Sequence, residues 1–443
     1  MAVHILFPVL LTLTSYTDSF TFREFTRIPF TNHIGVVCGD GDHDGLIEIY
    51  AFPEIPPSRE FYAIELNGTQ YDTVRIPGLT DCAAYLIGDF DSDGLSDLFV
   101  YAQIYESRDS ASLPLSRVWE ARTFPLTYRP VVADLDQDSF REIVFATPNI
   151  NRAFRLECTG DNSYSLKDTF RPSSITCVQA SVAYDMNQNG KPELLFLNMD
   201  GILYFYEAVG NDSFNYLSSC STYTAERIAS ALACTPDMDG DGLPEAICAS
   251  KEIPAFLTVV EMVGSDTFAV VWDTILIGPS APDRTIVVGD VDGDGINEFA
   301  IADGDSVRLF RCTGDNQYQQ FYALHNHEEE IGFCDITGDG KDELIVRRTP
   351  YTIIYEYCQV GIAERQLRQL ERIGISPSVV ARGKTIGLDR LPDGTKVRVV
   401  DVSGRVIAEP EMVWNTRAVL PGAYFLRLTK GNQSITRKVL VVE

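Results

Sequence analysis

Basic residues are the scarce class in this chain: 36 Lys and Arg stand against 63 Asp and Glu, leaving a net charge of −27 over 443 residues. A surface of that sign lacks the basic footprint that phosphate backbones require, so no nucleic-acid partner is expected, and cations are attracted instead. Long apolar runs are missing too. No segment reaches the roughly 20 apolar residues of a membrane-spanning helix, so no transmembrane segment is expected. Histidines number five, and no Gly-x-Ser-x-Gly elbow, His-Glu-x-x-His helix or phosphate loop occurs. His325 and His327 beside Glu328, Glu329 and Glu330 offer a candidate transition-metal site, with a solvated loop as the plainer reading. The ten Cys follow no disulfide framework: Cys38, Cys234, Cys248 and Cys334 sit within apolar runs, as buried small side chains do. Aromatic residues, 11% of the chain, are spread through strand positions and read as packing rather than as a sugar platform.

What the chain holds in excess is Asp in a fixed pattern. Gly289 to Glu298 places carboxylates at positions 1, 3, 5 and 9 of a nine-residue loop, Asp290, Asp292, Asp294 and Glu298. Alternate Asp side chains can converge on one point, Gly permits the tight path, and the last carboxylate closes a shell of hard oxygen ligands suited to calcium. An EF-hand closes at position 12, so the design is a different one. The pattern recurs from Asp40, Asp89, Asp134, Asp185, Asp237, Asp290 and Asp335, at intervals of 45 to 53 residues. That period suits a propeller blade of four short strands, and seven copies imply seven blades.

Each loop lies between two apolar runs, such as Ile34 to Val37 before the first and Phe299 to Ile301 after the sixth, and so reads as a hairpin connection. About 25 residues after a loop begins comes a second turn signature, Glu157 to Tyr164, Glu207 to Phe214 and Cys312 to Tyr318, expected to join the third and fourth strands. Cys158, Cys312 and Cys358 recur near it as one repeat position. The seventh repeat lacks a fourth strand, and residues 18–29 repeat the missing turn and strand, so they are expected to close the seventh blade and remove its open edge. Residues 3–13 form an apolar run without Lys or Arg before it. A secretory signal ending near residue 15 is the favoured reading, with a first strand as the other. The expected organisation is residues 1–15 signal, 16–360 propeller, 361–374 linker with a charged, helix-forming composition, and 375–443 a small β-sandwich.

The loops set out the candidate metal ligands. Loops one, two, five and six carry full sets: Asp40, Asp42, Asp44 and Glu48; Asp89, Asp91, Asp93 and Asp97; Asp237, Asp239, Asp241 and Glu245; and Asp290, Asp292, Asp294 and Glu298. Loop three has Asp134, Asp136, Asp138 and Glu142 but sets Ser139 and Phe140 where the others have Gly and an aliphatic residue, which leaves its turn open to question. Loop four offers Asp185, Asn187, Asn189 and Glu193, and loop seven Asp335, Thr337, Asp339 and Glu343; with fewer charges both are weak or empty sites. For any one loop a metal-free Asx turn is the simpler alternative. Together the loops hold 25 carboxylates, an uncompensated density that would repel, and seven calcium ions would bring the net charge to about −13.

These seven Asp-x-Asp-x-Asp-Gly-x-x-Glu loops resemble those of the FG-GAP or VCBS repeats of integrin-type β-propellers, over residues 18 to about 360. The resemblance implies up to seven structural calcium ions at the propeller rim and ligand contacts through loops on the faces. It implies an all-β fold, a seven-bladed β-propeller with calcium-binding loops followed by the small C-terminal sandwich.

Residues 373–443 reverse the charge balance, with 11 Lys and Arg against 6 Asp and Glu. Thr395 to Val402 alternates, Ser403 and Gly404 turn, Arg405 to Ile407 returns, and Ala423 to Leu428 and Ser434 to Val442 flank a turn at Lys430 to Asn432. The pattern Val-x-Val-x-Asp-x-x-Gly-Arg over Val397 to Arg405, then Leu420 to Tyr424, then Lys438 to Val442, resembles the sorting domain of type IX secretion, the Por secretion tail. Its Pro-Asn-Pro opening is replaced by Ser376-Pro377-Ser378, and an accessory sandwich with no sorting role is the other reading. The resemblance implies export through type IX secretion machinery to the outside of a bacterial outer membrane. The expectation is a secreted or cell-surface binding, adhesion or scaffold protein, not an enzyme, whose partner is a surface protein or glycan. A polysaccharide-binding or lyase-type propeller is the alternative.

Overall fold

Runs of β-branched and aromatic residues broken by Asp, Asn and Gly turns build strands almost throughout. The computed structural model describes residues 20–31, 36–53, 60–67, 70–80, 84–100, 103–120, 128–147, 152–170, 178–223, 229–251, 254–276, 285–303, 306–325, 330–359, 374–376, 379–389, 391, 395–402, 405–430 and 433–443. The expected signal segment, nearly all of the linker, and His4, His33 and His327 lie outside them. The chain divides into two units, Phe22–Tyr357 and Cys358–Glu443 together with Met1–Thr21.

Among the described residues, the first unit holds seven antiparallel sheets that follow one another along the chain. The sixth is typical: Ile286–Gly289, Glu298–Asp303, Ser306–Gly314 and Gln317–His325 pair in sequence order. Its second strand is buried at every position. That burial on both faces explains why the strand reads as a continuous apolar run and not as an alternation. In the first sheet Phe30–Thr31 and Cys38–Gly39 both pair with Glu48–Pro53; of the strand expected over Ile34 to Val37, residues 34 and 35 lie outside the described residues, and Val36 and Val37 lead into Cys38–Gly39.

The last sheet takes its outermost strand from the other end of the chain. Phe20–Ile28 pairs with Tyr351–Gln359, which pairs in turn with Glu343–Arg348 and Ile331–Cys334. Arg23 Nη2 lies 2.8 Å from Glu356 Oε2, and the Phe22 ring packs 5.0 Å from Tyr357 and 5.2 Å from Tyr322 of the sixth sheet. An apolar layer containing Ile28, Ile49, Ile64, Ile345 and Ile354 joins this sheet to the first. Comparable layers lie between successive neighbours from the first sheet to the sixth, with aromatic pairs such as Phe205 on Phe268, stacked at 3.8 Å, and Trp272 edge-on to Tyr318 at 5.4 Å. The aromatics are packing groups in these contacts, and Cys38, Cys158, Cys220, Cys234, Cys248, Cys312 and Cys334 are free thiols. Cys158 and Cys312 do occupy one repeat position, each with its thiol 3.4 to 3.5 Å from the carbonyl oxygen two residues on.

The second unit packs two small sheets over a shared core that includes Ile386, Trp414, Leu426 and Val439. One sheet has three strands, Gly374–Ser376, Thr385–Asp389 and Val413–Asn415; in the other Val379–Ala381 runs parallel to the final strand Gln433–Val442. The tail motifs acquire physical roles here. Asp401 Oδ1 accepts the Arg405 N–H at 3.1 Å across the turn, and the Tyr424 hydroxyl donates to the Leu420 carbonyl at 2.8 Å. Among the described residues no helix is long and apolar enough to cross a membrane.

Ile28 is fully buried in the layer between last and first sheets, so Ile28→Ala is expected to cost about 2 to 5 kcal/mol in urea unfolding of the full chain. A loss below about 1 kcal/mol would show that the N-terminal strand is not part of the stable core.

Candidate metal centres

In every loop the first three candidates fall on the connection between first and second strands and the fourth opens the second strand, and one scheme of hydrogen bonds shapes all seven loops. The first Asp accepts backbone N–H groups from the fifth or sixth residue: Asp290 Oδ2 accepts from Gly295 at 2.8 Å, Asp89 Oδ2 from Gly94 at 3.1 Å, Asp335 Oδ2 from Gly340 at 2.9 Å. The sixth residue must be left-handed, with φ from +85° to +96° at Gly45, Gly94, Gly190, Gly242, Gly295 and Gly340. Loop three makes the same turn without glycine. Ser139 takes φ +77° and donates to Asp134 Oδ2 at 3.1 Å, so the hydrogen bonds hold the path that its side chain disfavours.

The ninth residue opens the second strand and is buried in every loop, with Glu142, Glu193 and Glu245 fully inaccessible. One of its oxygens accepts the N–H of the loop's second residue, at 2.7 Å for Glu48, Glu142 and Glu193 and 2.8 Å for Asp97. The other oxygen has no hydrogen-bond partner in Glu48, Asp97, Glu142 and Glu193, and neither has Oδ1 of Asp42, Asp91, Asp136 or Asp292. Burial pushes these closing carboxyls up, to about 7 in Glu48 and Glu343 and about 8 in Asp97, Glu142, Glu193, Glu245 and Glu298. Ligand atoms of Asp40, Asp42 and Glu48, of Asp89, Asp91 and Asp97, and of Asp134, Asp136 and Glu142 come within 4.8 Å of one another. Bare buried oxygens on a hard, all-oxygen donor set fit a calcium-type cation.

Loop seven differs. The Thr337 hydroxyl donates to Glu343 Oε1 at 3.1 Å while Ile336 and Thr337 N–H groups reach Oε2 at 2.9 and 3.0 Å, so both oxygens are satisfied within the chain. In loop four the amides of Asn187 and Asn189 donate to Glu207, which supplies neutral donors where the other loops set charge.

The sequence reading missed a further set of charged groups, on the third strand. Glu65, Glu106 and Glu157 pair directly with Glu48, Asp97 and Glu142. In the later sheets Leu194 pairs with Tyr206, Ala246 with Val260, Phe299 with Phe310 and Leu344 with Tyr355, so the next residues along are Glu207, Glu261, Arg311 and Glu356. In sheet six the position therefore carries a cation. The Arg311 guanidinium lies 4.0 Å from the Phe321 ring and 2.8 Å from the Tyr357 hydroxyl, and its charge works against the burial that raises Glu298. A sequence signal existed: Glu65, Glu157, Glu207, Glu261 and Arg311 all stand three residues before the glycine of the second turn signature.

The two signatures also meet in space. In three turns the left-handed second residue donates its N–H to the third residue of the preceding sheet's loop: Asn162 to Asp91 at 2.8 Å, Asp212 to Asp136 at 2.7 Å, Asn316 to Asp239 at 2.6 Å. Neighbouring loops touch as well, through His43 and Ser96, Gln137 and Gly190, Gln188 and Gly242, and Asp342 and Asp290. Of the candidate histidine pair only His325 is described, and its Nδ1 lies 2.9 Å from the Ser306 hydroxyl.

Successive four-stranded sheets with acidic loops at one recurring connection define an all-β, propeller-like protein. The family model of the FG-GAP-like repeat matches residues 237–301, which span loops five and six. Among solved structures, the BP39L lectin from Burkholderia pseudomallei aligns with a TM-score of 0.55 at 9% identity, over 74% of this chain and 97% of that one. BBS1N, solved in complex with ARL6DN, aligns with a TM-score of 0.52 at 13% identity over 76% and 97%. At such identities the likeness is one of fold alone. PorZ, a bacterial surface component of the type-IX secretion system of Porphyromonas gingivalis, covers 92% of this chain and 59% of its own at 12% identity, with a TM-score of 0.46 that carries no argument. A search of curated protein sequences finds no match.

Two outcomes follow from the loop geometry. Ser139→Gly relieves the left-handed strain and is expected to raise stability by about 1 kcal/mol in chemical unfolding. In chelator, the closing carboxyls bind protons more readily in the native than in the unfolded state, so stability is greatest near pH 5 and falls as pH rises through about 7 to 8. Thermal midpoints recorded in EDTA from pH 5 to 9 check this, and a profile rising over that window contradicts it.

Proposed function

We propose that this protein is a calcium-stabilised, seven-bladed β-propeller that serves binding, adhesion or scaffolding at a bacterial cell surface, and that it is not an enzyme. The reading is carried by the loops' buried carboxylate oxygens without hydrogen-bond partners, at Glu48, Asp97 and Glu193. A cation would satisfy them and offset the acidity of the rim. The FG-GAP-like match over two of the loops supports the same reading. Loop-site carboxylates are bound up with backbone N–H groups that shape the turn, a structural employment that leaves them poorly placed as general acid and base. The tail's Asp401 and Arg405 turn and its Tyr424 contact give the sorting-domain pattern a folded basis. From this comes the proposal of secretion by a type IX-like route, with a surface protein or glycan as partner.

Calcium that binds only the native state must raise its melting midpoint. The midpoint is expected to fall by several degrees or more in EDTA and to recover with excess calcium. An unchanged midpoint would overturn the calcium reading. Glu48→Gln is expected to lower the calcium bound per chain, whereas Asp335→Asn, in the self-satisfied loop seven, leaves it unchanged. For the export proposal, removal of residues 375–443 in a bacterium with the type IX pathway is expected to trap the protein in the periplasm, and undiminished surface display would refute it.

A further inference from the structure

Beside loops two, three and five the third-strand acid of the same sheet faces the outer turn of the next, and the chain treats this place differently from loop to loop. After loop three, Arg155 Nη1 lies 2.7 Å from Asp212 Oδ1, and Lys167 Nζ lies 3.1 Å from Glu157 Oε1 and 3.0 Å from Asp212 Oδ2. After loop four the amides of Asn187 and Asn189 face Glu207. At loop six Arg311 replaces the acid, and at loop seven Arg23 pairs with Glu356 at 2.8 Å. At loop two the Asn162 amide donates to Asp161 Oδ1 at 2.6 Å, but among the described residues no cation stands in this place. There Asp91, Asp93, Glu106 and Asp161 bring ligand atoms within 4.8 Å of one another, and among the described residues no Lys or Arg pairs with them. Glu106 is only 9% exposed, and its Oε1 has no hydrogen-bond partner; nor has the Oδ1 of Asn162, on the same turn as Asp161. A carboxylate oxygen and an amide oxygen left bare in the interior are a costly arrangement unless a cation meets them.

We propose that this cluster is a second cation site, separate from the loop's own group of Asp89, Asp91 and Asp97, and that it takes a calcium ion bridging sheets two and three. Asp91 belongs to both groups, so the inference rests on the loop reading to that extent. Oxygen donors from a loop, a strand and a neighbouring sheet's turn make an irregular shell, which calcium tolerates and magnesium does not. Loop five repeats the arrangement: Glu261 is 2% exposed with Oε1 unpartnered, and Asn316 Oδ1 on the turn of sheet six is bare as well. The ion stands where Arg155 and Lys167 stand one sheet further on, as a cross-sheet clamp whose strength follows calcium concentration.

Equilibrium dialysis of the full chain with radioactive calcium tests this, comparing the natural sequence with the double variant Glu106→Gln, Asp161→Asn. The expected result is about one calcium fewer per chain in the variant. Equal binding in the two proteins overturns the second site and leaves the loop reading standing; no binding by the natural sequence overturns both. Thermal midpoints separate a ligand role from a packing role. In EDTA the variant is expected to melt at or above the natural protein, because like charges have been removed, and in saturating calcium below it. A variant that melts lower in EDTA also would assign Glu106 to packing and overturn the proposal.

Discussion

The closing carboxylate of each loop is the constraint on which the rest depends. It opens the second strand, the most deeply buried strand of its sheet: one oxygen holds the N–H of the loop's second residue, while the other has no hydrogen-bond partner in loops one to four and accepts from the Thr337 hydroxyl in loop seven. Moving it outward would open the second strand's start and break the loop's closure together. In loops one, two and three, keeping it in place gathers three acids whose ligand atoms lie within 4.8 Å of one another, in a chain whose net charge is −27. Whatever neutralises that pocket therefore also fixes the strand, the loop and, through Asn162, Asp212 and Asn316, the outer turn of the next sheet.

The chain meets this constraint in several ways. Thr337 closes loop seven by hydroxyl donation, amides serve loop four, and Arg155 sits 1% exposed among Glu142, Glu157 and Asp212. Arg311 stands beside loop six, the loop with the most regular sequence, so regularity of the Asp pattern does not rank the pockets by their need for a cation. Loops one and two keep bare oxygens with no internal cation, and there the demand is greatest. A buried ion pair or a bound ion satisfies the same electrostatic need, but only the ion makes stability depend on the surroundings.

Much of this could be read from the residues. The period of 45 to 53 residues between loops, the apolar runs around them and the Gly-containing second turn located nearly every strand, because each sheet repeats one local instruction. The four later strands of the tail were legible for the same reason. What could not be read was local to none of these signals. Gly374–Ser376, Val379–Ala381, Thr385–Asp389 and Val413–Asn415 are too short to show a period, and their pairing is with distant segments. The third-strand acids escaped because the hairpin before them varies in length, so their distance from the loop is not constant, although Glu65, Glu157, Glu207 and Glu261 each stand three residues before a glycine.

By itself the sequence determined the all-β character, the spacing of the loops and the ligand types within them, since each depends on residues near one another in the chain. Only the tertiary structure decided which carboxylates lack partners and where Arg155 and Arg311 take the place of an ion, whereas the pairing of Phe20–Ile28 with the final sheet was already expected from the repeated turn and strand of residues 18–29. Charge compensation is a property of neighbours in space. The residues that meet at the Asp91 and Glu106 cluster come from a loop and a strand of one sheet and a turn of the next, 70 positions apart between Asp91 and Asp161, and only folding brings them together.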